Sequence, residues 1–262
     1  MEKPPIFIVG CPRSGTTLVR VILDSHPNIC CGPETSLIEN LKTFNESIQS
    51  HWNMLEPYGI DKKIANQRLG ELFRLFPDNY TKMKNKQRWA EKTPENIFYV
   101  DFINELFPNC QFINVIRDGR DVVCSYKDRW GSKTIFSAIK KWNRAIDLTY
   151  TYRAKFSKDR YIEVRYEELV SYPERETKRM MEFLGEIWIP DLLEYHNKQH
   201  DFWFKNDAGK VDLKMERHPQ RHAPSQPIFS SSIGKWKKNL NVIEKPVVKL
   251  LIRENLKRLG YL

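Results

Sequence analysis

Gly10 and Gly15, with Thr17 two positions on, have the spacing of a phosphate-binding loop whose lysine is missing. Thr16 stands where that lysine would reach a β- or γ-phosphate, and Arg13 supplies a cation inside the loop. A short β-rich run, Ile6–Val9, leads in, and an apolar-periodic stretch (Leu18, Val21, Ile22) follows. In such a strand–loop–helix, backbone N–H groups and a helix N-terminus bind an anion. Without the lysine, hydrolysis or transfer of a γ-phosphate is disfavoured. A second cationic loop, Arg117-Asp118-Gly119-Arg120-Asp121, follows the apolar run Gln111–Ile116. Where a nucleoside triphosphatase would hold its magnesium carboxylate, this strand ends in Arg117, which binds another anion and repels a metal. Asp118 and Asp121 read as a salt-bridged turn and a helix-start acid. Two cationic loops with no evident metal site suit a nucleotide carrying phosphate groups at both ends.

The elements that must position these residues alternate in type. A helix is expected from about Thr16 to Ser25, stopped by His26-Pro27. Residues 36–80 show helical periodicity (Leu37, Leu41, Phe44, Ile48, then Leu69, Leu72, Phe73, Phe76) and read as a helical insert over one end of the sheet. Lys82–Arg88 is basic and expected to be exposed. A short segment near Arg88–Ala90 precedes Glu91-Lys92-Thr93-Pro94, and a helix then carries Phe98, Phe102, Ile103 and Leu106. Gln111–Ile116 suits the middle of a parallel sheet, and Tyr161–Val164 is a further strand closed by Arg165-Tyr166. Helices follow Pro173 and start near Pro246, while 205–227 reads as a polar, proline-punctuated loop. This alternation implies βαβ units: an α/β, P-loop-like three-layer fold with a central parallel sheet flanked by helices. Ligands then bind beyond the carboxyl ends of the strands, and Arg13, Arg117 and Tyr166 all lie just past one.

With 262 residues, 40% apolar content and no repeats, the chain reads as one domain, 1–262, with a substantial core. A formal charge of +10 points to an anionic partner. The five cysteines (Cys11, Cys30, Cys31, Cys110, Cys124) include no CxxC pair and are expected as reduced thiols. His196, His200, His218 and His222 sit in a polar region without partner cysteines, so no metal site is expected there. No run approaches the roughly 18 apolar residues of a membrane span, and no secretory signal is present. A cytoplasmic location is expected, with a trimmed lumenal domain as the alternative.

Four motifs in order now carry a resemblance: Cys-Pro-Arg-Ser-Gly-Thr-Thr (11–17), Val-Ile-Arg-Asp-Gly-Arg-Asp-Val-Val-Cys-Ser (115–125), Val-Arg-Tyr-Glu-Glu-Leu-Val (164–170) and Ile-Gly-Lys-Trp (233–236). The set resembles the sulfotransferases that use 3′-phosphoadenosine 5′-phosphosulfate (PAPS) and release 3′-phosphoadenosine 5′-phosphate (PAP). The resemblance implies that Arg13, Ser14, Gly15, Thr16 and Thr17 hold the 5′-phosphosulfate, and that Arg117 and Ser125 hold the 3′-phosphate. His26-Pro27 and Glu34-Thr35 make the chain most similar to the tyrosylprotein-sulfotransferase-like branch. That match implies Glu34 as catalytic base, with Lys92 and Arg13 as catalytic cations. Arg129 and Tyr166 are further implied cofactor contacts, and Lys235 and Trp236 belong to a loop closing over the nucleotide. Ser36 departs from the branch, which carries an arginine there, and the loop before Lys235 is shorter.

The implied reaction is in-line transfer of a sulfuryl group to an acceptor hydroxyl, with no metal. The acceptor stays open among a tyrosine, a glycan and a small natural product; 36–80 and 205–227 are expected to shape its pocket. A P-loop nucleotide kinase or nucleoside triphosphatase is the alternative. Binding to nucleic acid through Lys82–Arg88 and Lys235–Lys238 ranks last, because no groove-reading or RNA motif accompanies those charges.

Overall fold

A computed structural model describes residues 3–201 and 226–262. Five strands form one parallel sheet: β1 Ile6–Gly10, β2 Ile29–Cys31, β3 Arg88–Lys92, β4 Gln111–Ile116 and β5 Tyr161–Arg165, in the order β2-β3-β1-β4-β5. β1 pairs with β4 from Ile6 opposite Gln111 to Gly10 opposite Val115, and with β3 from Ile6 opposite Ala90. β1 is buried along its whole length, which is why it reads as an unbroken apolar run. Helix α1, Thr16–Asp24, covers one face of the sheet with α8, Tyr166–Ser171, and α9, Pro173–Leu184. The other face carries α2 (Leu37–Ser50), α4 (Lys62–Met83), α5 (Val100–Leu106), α6 (Gly119–Trp130) and α7 (Ile135–Lys155), with the short α3 (Trp52–Leu55) between α2 and α4 in the chain burying no residue. There Phe7, Phe73, Trp89, Phe107 and Phe112 pack ring to ring, with neighbouring centroids 5.5–6.2 Å apart.

The three expected layers are therefore present. Four details differ from what periodicity suggests. β2 is a strand of only three residues, too short to stand out as a pattern. Lys82–Arg88 is exposed as expected except towards its end: Lys86 is half-buried, and Arg88 is buried in β3, donating to the Leu184 and Pro4 carbonyls and to Glu186. In the helical insert, Leu41, Leu69 and Phe73 reach the core, whereas Phe44, Leu72 and Phe76 face solvent. The last helix breaks at Ile252 into Glu244–Leu251 and Arg253–Arg258, burying Val248, Ile252 and Leu256 but not Leu251. Most of the expected 205–227 loop lies outside the described residues, as do His218 and His222. All five cysteines are free and buried. Among the described residues no helix is long and apolar enough to cross a membrane.

Candidate active site

Every strand carboxyl end contributes to one cleft, beginning with the loop after β1. Gly10 and Gly15 have φ of 151° and 98°, and Arg13 has φ of 75°, so the loop runs through left-handed backbone that side chains rarely adopt. Gly15 has a packing reason as well. A Cβ there would lie 2.4 Å from Cδ2 of Tyr166. Because α1 opens on Gly15 with no side-chain cap and no acid in its first turn, its terminal N–H groups are left for a ligand.

Three arginines gather around this loop. Arg13 Nε donates to Ser125 Oγ at 3.0 Å, joining the first motif to the second. Arg117 leaves the end of β4 and donates to the carbonyl of Arg13 at 3.0 Å and to that of Ser232 at 2.7 Å. Its guanidinium lies 4.4 Å from the Tyr166 ring centroid. Arg129, in the last turn of α6, is close enough to act electrostatically on Arg13. Burial, then Arg129 and Arg117, push the Arg13 guanidinium down to about 10. Like charges crowded in a buried cleft are costly without a counter-anion. Ser14 Oγ and Arg117 Nε are buried with no hydrogen-bond partner among the described residues. Orphaned donors, crowded cations and an uncapped helix N-terminus fit a ligand with phosphate groups.

At the end of β3, Lys92 is 2% exposed, with Nζ 3.5 Å from Thr17 Oγ1 and against a Glu34 carboxylate oxygen. Burial, then Arg20, push its ammonium down to about 7. Glu34 pulls the other way, but its side chain is 50% exposed, so water screens that pull. Glu34 lies between β2 and α2, three residues past Cys31, and is not part of the helix. Its carboxylate is thus exposed to solvent on one side and touches buried Lys92 on the other.

The turn at 233–236 is tied over the start of α6. Asp121 accepts from the N–H groups of Gly234 and Trp236, at 2.7 and 2.9 Å. Trp236 stacks on Arg120, 4.4 Å from ring centroid to Cζ, and packs on the core, while Lys235 is exposed. Arg13, Ser14, Gly15, Thr17, Arg117, Ser125, Arg129 and Tyr166 thus converge on one cleft, with Glu34 and Lys92 at its β3 side. Thr16 is buried at the start of α1. Asp118 pairs with Arg120, as a salt-bridged turn should. Asp121 exceeds its helix-start role by holding the 233–236 turn. Sequence reasoning passed over Arg20 and Glu167, the latter accepting from the Asp118 N–H at 2.9 Å. For Arg20 a signal existed: it lies three residues after Thr17, on the same side of α1.

A family model described as "Sulfotransferase family" matches residues 4–190. The chain is similar to the protein-tyrosine sulfotransferase of Drosophila melanogaster, at 32% identity over 90% of this chain and 47% of that protein. It is also similar to protein-tyrosine sulfotransferase A of Caenorhabditis elegans, at 33% identity over 99% of this chain and 67% of that protein. The chain thus spans from about half to two thirds of these relatives' length. Among solved structures, the sulfotransferase domain from the curacin biosynthetic pathway shares the fold, with a TM-score of 0.65 at 19% identity over 96% of this chain and 98% of that one.

Proposed function

Because this chain belongs to the sulfotransferase family, we propose that it transfers a sulfuryl group from PAPS to the hydroxyl of a tyrosine in a protein. One observation carries the chemistry. Buried Lys92 bridges the phosphate loop, through Thr17, to the half-exposed carboxylate of Glu34. A base and a cation therefore flank the place where a group held by the loop would meet an acceptor. The tyrosine acceptor rests on the protein-tyrosine sulfotransferases to which the chain is similar.

The loop N–H groups, Ser14, Thr17 and Arg13 would hold the 5′-phosphosulfate, and Arg117 with Ser125 the 3′-phosphate. PAPS supplies the sulfuryl group and a phosphate leaving group. Glu34 takes the proton of the acceptor hydroxyl; a positioned base contributes about 10²–10⁴-fold. Lys92, Arg13 and the loop N–H groups face the charge that builds on the departing oxygen. They are fixed before it appears, which makes such stabilisation effective.

Labelled PAPS and a tyrosyl peptide test the proposal. Glu34→Ala should lower transfer by about 10²-fold or more, with the calorimetric Kd for PAP within about threefold. Near-normal transfer by that variant removes Glu34 as the base. Label on glycans or small phenols but never on the peptide replaces the tyrosine acceptor.

A further inference from the structure

Arg20 lies in α1, 2% exposed, and the proposed chemistry does not use it. Its Nε and Nη2 both donate to the carbonyl of Cys31, at 3.2 and 3.0 Å, and Nη2 also donates to the carbonyl of Asp201 at 2.5 Å. Cys31 is the last residue of β2, which among the described residues is an edge strand paired with β3 alone. One turn along α1 from Arg20, Asp24 Oδ1 accepts from the Cys31 N–H at 2.9 Å. Lys86 Nζ donates to the Ile29 carbonyl at 2.7 Å. The side of β2 away from the sheet is thus held by side chains instead of another strand. Cys31 is held by both its backbone groups. From that point Gly32-Pro33 leads directly to Glu34, so any tilt of the β2 exit displaces the carboxylate.

The same guanidinium acts electrostatically on the ammonium of Lys92. The charged and titratable groups facing Lys92 are Arg20 and Arg13, the carboxylates of Glu34 and Glu95, and the Cys31 thiol, which burial keeps protonated. We propose that Arg20 is a positioning residue for sulfuryl transfer: through the Cys31 carbonyl it fixes the β2 exit that carries Glu34, and it stands as a permanent cation beside Lys92. The inference rests on the reading of Glu34 and Lys92 given above. Arg20 bears on the reacting groups through Cys31 and Lys92. A permanent guanidinium there makes a second charge at Lys92 costly until an anion arrives, which agrees with the lowered Lys92 ammonium.

Two variants separate the two roles, with proton uptake on PAP binding and transfer from PAPS to a tyrosyl peptide as readouts. Arg20→Lys keeps the charge but not the two-point grip on Cys31. Its kcat should fall on the order of tenfold or more, with Kd for PAP and the pH midpoint of proton uptake unchanged. Arg20→Gln removes the charge, and its midpoint should move up on the order of one pH unit. A merely structural clamp would lower the melting temperature in both variants and leave both readouts at wild-type values, which overturns the proposal. An unmoved midpoint in Arg20→Gln removes the electrostatic role, and wild-type kcat in Arg20→Lys removes the positioning role. Should the glutamine variant fail to fold, Arg20→Lys still decides the positioning role, because it retains the buried charge. Wild-type protein that binds no PAP overturns the nucleotide reading itself, an outcome distinct from normal wild-type behaviour with unaffected variants.

Discussion

Lys92 should take up a proton when PAP binds above neutral pH. Burial and Arg20 push its ammonium down to about 7 in the free protein, so at pH 8 only about a tenth of the molecules carry that charge. A phosphate-bearing ligand beside Lys92 favours the ammonium and returns its pKa toward the ordinary lysine range. Binding should then draw in ~0.9 proton at pH 8 and ~0.1 at pH 6. Affinity should fall about tenfold per pH unit above 7, because each unit makes protonation that much harder. The ligand's phosphates, whose second ionisation lies near 6, act in the opposite sense when they meet cations. Lys92→Met therefore supplies the reference. Calorimetry at pH 8, in two buffers of different ionisation enthalpy, measures the uptake directly. Uptake below ~0.2 proton in the wild type, or equal uptake in Lys92→Met, would refute the claim that Lys92 is held neutral for the ligand to charge.

Arg117→Ala removes the strand-end guanidinium stacked on Tyr166. PAP should bind about 10- to 100-fold more weakly, while adenosine 5′-monophosphate, lacking the 3′-phosphate, changes less than about threefold; equal losses for both would move Arg117 away from the 3′-phosphate. Gly15→Ala sets a Cβ 2.4 Å from the Tyr166 ring on backbone at φ 98°. It should cost about 1–3 kcal/mol by thermal or denaturant unfolding, and Gly15→Ala with Tyr166→Ala should recover only the steric part. Burial lifts Glu91 to about 7, so the folded state holds a proton there that the unfolded state releases near 4.5. Stability should fall by about 2–3 kcal/mol as pH rises from 5 to 8. Glu91→Gln, which cannot titrate, should flatten that slope in denaturant titrations.

Residue type and order alone carried much of the architecture. Ile6–Gly10 and Gln111–Ile116 are buried on both faces, so their apolar runs mark central parallel strands without help from tertiary context. The glycine spacing of the first loop and the arginine ending β4 were legible for a similar reason: the backbone and the charge at these positions have few chemical alternatives. β2 was not legible, because three residues have no period and its pairing with Arg88–Ala90 crosses a long insert. Arg88 looked exposed like the residues before it because charge is the local signal. Only the fold brings Pro4, Leu184 and Glu186 around Arg88 to satisfy it.

The candidate site divides along the same line. That Arg13, Glu34, Lys92, Arg117 and Tyr166 matter could be argued from motifs, each at or just past the end of its own strand. What they do to one another could not. Lys92 becomes a titrating group only when burial and Arg20 surround it. Gly15, already favoured by its φ of 98°, gains a second constraint because Tyr166, about 150 residues away in the chain, packs against it. Asp121 becomes a tether only when Gly234 and Trp236 come within reach. Sequence placed the charges along the chain, since side-chain type is local. Desolvation, close contact and mutual electrostatics depend on distance in space, and the parallel sheet alone sets those distances.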